Sequence, residues 1–237
     1  MQRYLTILLL LFGVYAYAGT PVLMYHDINN DPNDLYSVTP SQFAKQMKWL
    51  HDNGYRAIPL KDIEHAKPKD FVITFDDGYE SFIPYALPVL GKYNWHATIN
   101  IVGAWVGKII PDIKDRKALS WTQIRMLQDT GLVSFGCHSY DNHHFETRGF
   151  TNTKSHDAKI DFEKFRKVFE ARTGKTTNIL AWPYGRYNDA SYSAARDVGF
   201  RFILTSQHGL FEGKDTFHIP RMPMEKGNTI QERIHGH

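Results

Sequence analysis

Phe71-Val72-Ile73-Thr74-Phe75-Asp76-Asp77-Gly78 is the stretch on which the reading of the fold turns. Its first five residues are β-branched or aromatic and too few for a helix, so they suit a buried strand, and the polar trio that follows ends it. Working outward, apolar runs at 21–25, 95–101, 132–137, 178–182, 200–205 and 217–220 repeat the pattern and also read as strands. Amphipathic segments fill the gaps. Thr39 caps one, with Pro40 at its opening position, Gln42 completing a capping box, and Phe43, Met47 and Leu50 on one face before Gly54. Ser120 and Gln123 repeat the box ahead of Ile124 and Leu127, with Gly131 at the end. Ala158, Phe162, Phe165 and Phe169 line a third helix that stops at Gly174, and a fourth runs over 189–198 to Gly199. The stretch 80–93 is helical in pattern but is interrupted by Pro84 and Pro88, which predicts two pieces.

Alternating strands and helices call for a parallel sheet. Seven strands with their crossovers predict an α/β fold, a distorted (β/α)7 barrel in a single domain; an open doubly wound sheet is the competing arrangement. No glycine-rich phosphate loop follows any strand, which counts against a nucleotide-binding version.

At 237 residues and 42% hydrophobic, the chain can bury one sizeable core. Its first 18 residues read as a secretory signal peptide: Arg3 supplies a positive start, residues 5–14 an apolar run, and Ala16-Tyr17-Ala18 a cleavage site. An uncleaved anchor is the alternative. The expectation is an exported protein, periplasmic or extracellular, with residues 19–237 as its domain and no stable membrane span after cleavage. Without Arg3, 27 of the 28 basic residues face 25 acidic ones, a balance of about +2 that gives no reason to expect nucleic acid as a partner. Cys137, as the single cysteine, excludes an intramolecular disulfide.

Chemistry-bearing residues follow the strands. His26-Asp27 comes after the first, Asp76-Asp77-Gly78 after the second, His138-Ser139-Tyr140-Asp141-Asn142-His143-His144 after the run ending at Cys137, and Pro183-Tyr184-Gly185 after Trp182. A parallel barrel gathers all these points at one mouth. Adjacent carboxylates repel, so Asp76-Asp77 asks for a cation, and a carboxylate with two imidazoles is a ligand set for zinc or another divalent transition metal. Blander readings exist. Asp76 can simply cap the next helix, the histidines can be surface groups, His144 can stand in for His143, and Cys137 inside an apolar run suits a small buried residue better than a ligand.

At Thr74-Phe75-Asp76-Asp77-Gly78, followed in order by the His-Ser motif and Pro-Tyr-Gly, the chain resembles the polysaccharide deacetylases, carbohydrate esterase family four or the NodB-homology family. The family's core motifs fall from about residue 68 onward. The five-residue histidine spacing, and a histidine motif permuted to the start at 22–27, resemble the branch acting on poly-β-1,6-N-acetylglucosamine. The resemblance implies Asp76 as general base and Asp77, His138 and His143 as metal ligands. It also implies the Tyr184 backbone N–H as an oxyanion donor, His26 as general acid, and a zinc ion, or Co2+, Ni2+ or Fe2+, as cofactor. A polysaccharide is the implied partner, and hydrolysis of its N-acetyl groups the implied reaction; peptidoglycan or chitin oligomers, or glycan binding without catalysis, are the alternatives. The family's usual arginine before Pro-Tyr-Gly is replaced by Ala181; Arg221 is the candidate to take over its contact with the catalytic aspartate, and a salt-bridged surface arginine is the alternative reading of Arg221. Trp105, Trp121, Tyr140, Trp182 and Tyr187 are candidates to present flat faces to sugar rings.

Overall fold

The computed structural model describes residues 19–111, 115–144, 146 and 149–235; the proposed leader at 1–18 lies outside them. The described strands are β1 (Val22–Tyr25), β2 (Arg56–Ala57), β3 (Asp70–Phe75), β4 (Ala97–Ile101), β5 (Val133–Cys137), β6 (Ile179–Ala181), β7 (Phe202–Leu204) and β8 (Met222–Pro223). The helices are α1 (Pro40–Asp52), α2 (Leu87–Tyr93), α3 (Trp121–Asp129), α4 (Ser155–Thr173), α5 (Asp189–Val198) and α6 (Ile230–His235). Every strand pairs in parallel, in the order β7-β6-β5-β4-β3-β1-β8, and β2 adds to β3 at its start. The sheet curls until residues 216–223 meet both of its edges. Thr216 and Ile219 accept hydrogen bonds from Ile203 and Thr205 along β7, and the chain then enters β8 beside β1. The result is a distorted (β/α)7 barrel with an irregular seam.

Strand alternation gives the barrel two different faces. Outward residues such as Leu23, Tyr25, Phe71, Ile73, Phe75, Ile99 and Phe135 join the main core with Phe43 and Met47 of α1, Ile124 and Leu127 of α3, and Phe162 and Phe169 of α4. Each such large side chain contributes about 1.5–3 kcal/mol when fully buried. Inward residues begin apolar, with Val22, Val72, Ile179 and Phe202 in a second cluster. Further along the same face they turn polar: Thr74 and Asp76 on and after β3, Thr98 and Asn100 on β4, all buried. The interior is therefore dry at the strands' start and polar at their carboxyl ends, where the site lies.

Most helix ends follow the local sequence. Ser120 and Gln123 form the full capping box on α3, and Gly174 and Gly199 close α4 and α5 with positive φ. Residues 80–93 do divide, into a π-helical turn at Phe82–Ala86 and α2. Two expectations are corrected, and one strand is added. Thr39 caps α1 by accepting from the Gln42 N–H, but the Gln42 side chain does not close the box; it donates to the carbonyls of Glu225 and Asn228 and ties α1 to the chain after β8. The apolar run at 217–220 contributes only the single bridge Leu204–Ile219, and the last strand starts at Met222. Arg56–Ala57 carries no apolar run that would have marked β2 as a strand.

Candidate active site

The site grows from three tight turns at the strand ends. Past β3 the chain enters the left-handed region at Asp77 (φ 69°) and Gly78 (φ 73°), and a Cβ on Gly78 would lie 2.7 Å from Ile101 Cγ2. A non-glycine residue at such a φ costs about 1–3 kcal/mol and needs its surroundings to hold it. Ser139 (φ 82°) and Tyr184 (φ 58°) take the same region after β5 and β6. These turns lie just past the carboxyl ends of β3, β5 and β6.

They bring Asp77, His138 and His143 together, with one potential ligand atom from each within 4.8 Å of the others. His138 Nε2 lies 3.5 Å and His143 Nε2 3.3 Å from Asp77 Oδ1. That oxygen is buried and has no hydrogen-bond partner among the described residues. A bare carboxylate oxygen at such depth is costly unless something positive meets it. His138 Nδ1 lies 2.8 Å from the Ala181 carbonyl, which only an N–H can satisfy, so the Nε2 lone pair points at Asp77. Burial pushes the His138 imidazole down to about 4, in its neutral, ligating form. Burial acts to raise Asp77, but the neighbouring His143 outweighs it and holds the carboxyl down to about 2. An acceptor-only oxygen and two imidazole nitrogens facing one point suit a divalent transition metal.

Asp76 sits beside this group in a different environment. Its Oδ1 accepts from Arg221 Nη1 and Asn100 Nδ2, and its Oδ2 from Arg221 Nη2, each at 2.8 Å. Oδ2 also faces His138 Nε2 at 4.0 Å. Burial opposes ionisation here too, but the Arg221 guanidinium holds Asp76 well below the usual carboxylate range. Arg221 is 1% exposed and further bonded to the Thr205 carbonyl and Thr74 hydroxyl, so it is an interior group and not a surface ion. The Asp76 N–H donates to the Tyr25 carbonyl, which sets half-buried His26 alongside it.

The rest of the sequence-derived candidates divide clearly. Tyr184, 41% exposed, lies over His143 with ring centroids 4.5 Å apart, and Trp105 flanks the same imidazole at 4.7 Å. His144 is exposed and outside the cluster, and Cys137 faces the outer core, where burial pushes its thiol up. Trp182 is not available to a sugar: it is fully buried, stacked under Tyr187 and packed on Phe150 and Phe162. Trp121 packs against Phe169.

Two residues of the site escaped sequence reasoning. Asn100 looks like a polar interruption in an apolar strand. Asp161 of α4 accepts the backbone N–H groups of Tyr140 and Asp141, one on each oxygen at 2.8 Å, and so fastens the loop between the two histidines. Asn142 adds a hydrogen bond from its N–H to Ser139 Oγ. The available signal was an acidic residue directly beside Phe162 on the buried face of α4.

Comparison with known proteins shows the family of the chain. The profile of the family described as polysaccharide deacetylase matches residues 64–203. The chain is 33% identical to the Bacillus subtilis (strain 168) protein YxkH, whose name assigns it to the same family, over 81% of this chain and 66% of that one. It is 24% identical to the poly-β-1,6-N-acetyl-D-glucosamine N-deacetylase of Escherichia coli (strain K12), over 92% of this chain but only 38% of that protein. The chain thus spans well under half the length of this second relative. The structure of IcaB from Ammonifex degensii superposes with a TM-score of 0.77 at 23% identity, over 87% of this chain and 92% of that one, and shares the fold. With its profile matched across the barrel from before β3 to β7, the chain belongs to the polysaccharide deacetylase family.

Proposed function

We propose that this chain is an exported, metal-dependent hydrolase that removes N-acetyl groups from an N-acetylglucosamine-containing polysaccharide, with poly-β-1,6-N-acetylglucosamine as the preferred substrate. The observation that carries the chemistry is the convergence of Asp77, His138 and His143 within 4.8 Å, with Asp76 Oδ2 facing the same point. The substrate rests on the activity in the name of the Escherichia coli relative, and export on the leader-like residues 1–18.

A divalent ion, zinc by preference, held by those three residues would supply Lewis acidity for the amide carbonyl and lower the pKa of water toward about 7. Asp76 takes the proton from the attacking water at Oδ2, and Arg221 keeps that carboxylate ionised and oriented. As the carbonyl carbon becomes tetrahedral, the Tyr184 N–H donates to the developing oxyanion, an interaction typically worth about 3–4 kcal/mol. His26 donates a proton to the departing amine as the C–N bond breaks. Acetate and a glucosamine residue leave.

The test is acetate release from defined oligomers of β-1,6-N-acetylglucosamine, chitin and peptidoglycan, before and after chelation and metal return. Release that is greatest on the β-1,6 polymer, abolished by chelation and restored by zinc is expected. Undiminished release by the metal-free protein would reject the metal's role; preference for another glycan would reject the substrate.

A further inference from the structure

We propose that Asn100 is a positioning residue that decides which oxygen of Asp76 acts as the base, a proposal that rests on the deacetylase reading. Asn100 lies on the inner face of β4, fully buried, and its Nδ2 donates to Asp76 Oδ1 at 2.8 Å. The amide orientation follows from chemistry: the ionised carboxylate only accepts, so the NH2 end must face it. Oδ1 therefore receives two donors, Asn100 Nδ2 and Arg221 Nη1, while Oδ2 receives one, Arg221 Nη2. A carboxylate oxygen has about two lone-pair sites. Oδ1 is saturated, and the remaining lone pair of Oδ2 faces the ligand cluster, where His138 Nε2 is 4.0 Å away. Arg221 alone bonds both oxygens alike; Asn100 makes them different.

The neighbouring strand is shaped to admit this amide. Gly136 is the register partner of Asn100 across β4 and β5, and a Cβ there would lie 2.2 Å from Asn100 Oδ1. Any larger residue at 136 would push the amide off Asp76. Asn100 Oδ1 has no hydrogen-bond partner among the described residues and occupies the space where a side chain at Gly136 would begin. A buried amide with one end unsatisfied is a stability cost. Its other end meets the proposed base, which is where that cost has a use.

The test measures kcat, KM and zinc affinity for Asn100→Leu, which is close in size but lacks the N–H, and for Asn100→Ser, which stays polar but stops short of Asp76. Gly136→Ala tests the same contact from β5, and Thr98→Val, two residues back on the same face, controls for loss of an interior polar atom. A hydrogen bond to a charged group supports an expected fall in kcat of about 10- to 100-fold in both Asn100 variants, with KM and zinc affinity within about twofold of wild type. Thr98→Val should match wild type. Because Gly136→Ala acts through Asn100, adding it to Asn100→Ser should lower kcat little further. If wild type releases acetate but both Asn100 variants keep kcat within about twofold, the positioning role is wrong while the deacetylase reading stands. Parallel loss of zinc affinity and kcat, or failure of both variants to fold, would make Asn100 a structural residue and equally overturn the proposal. A wild-type protein that releases no acetate would instead sink the underlying reading.

Discussion

Arg221 and Asp76 form a fully buried ion pair, and such pairs are far costlier to break than to replace. Arg221→Met would leave the Asp76 carboxylate charged and without its guanidinium, so a loss of about 3–5 kcal/mol is expected in urea unfolding. Arg221→Met combined with Asp76→Asn removes both charges and should recover part of that loss; a double variant as unstable as the sum of the single ones would mean the two side chains do not act as a pair. Asp76, Asp77 and His138 were legible because they stand at the ends of apolar runs, and His143 because it lies five residues beyond His138 in the same polar motif. Arg221 was harder to read, since 145 positions separate it from Asp76 in sequence and only the seam of the barrel brings them to 2.8 Å. Asn100 was illegible for a related reason: strand alternation predicts its face but not the carboxylate across from it.

At the scale of elements, the loop between the histidines depends on α4. Asp161→Ala would release the Tyr140 and Asp141 N–H groups, and zinc affinity is expected to fall about 10- to 100-fold with the fold intact, as for other residues that orient metal ligands. Competition with a chromophoric chelator measures this directly, and unchanged affinity would show that the loop holds its shape without Asp161. On α5, Asn188 accepts from the Ser191 N–H and donates to the carbonyls of Thr151 and Thr153. Asn188→Ala should cost about 1–2 kcal/mol in thermal or urea unfolding. Helices with local end signals were readable because caps and glycines act within a turn of their own position. Strands β2 and β8 were not, because two-residue strands owe their existence to the partner strand; the apolar character of 217–220 reflects Ile219 facing β7, not membership of the ladder.

The whole barrel is polarised, with its chemistry at the carboxyl ends of the strands and ordinary packing elsewhere. His96 lies away from the site, just before β4, with Nε2 3.3 Å from Ser134 Oγ. Burial, with Lys61 adding to it, pushes its pKa down from 6.5 to about 4. In the unfolded chain His96 takes up a proton near pH 6.5, whereas in the folded protein it does so only near 4. The unfolded state thus binds more protons in that window, and stability falls as pH drops from about 6.5 to about 4, by up to about 3 kcal/mol. His96→Asn should flatten this part of the stability curve, measured as the urea midpoint against pH; an unchanged slope would assign the acid sensitivity to other groups.

The most direct measurement of the central claim is an equilibrium zinc titration of the wild-type protein, Asp76→Asn and His138→Ala/His143→Ala. One ion per chain is expected for the wild type and for Asp76→Asn, because Asp76 lies beside the ligand set and not within it, while the double histidine variant should lose the site. Stoichiometric binding by the histidine variant, or none by the wild type, would contradict the assignment of Asp77, His138 and His143 as a metal centre.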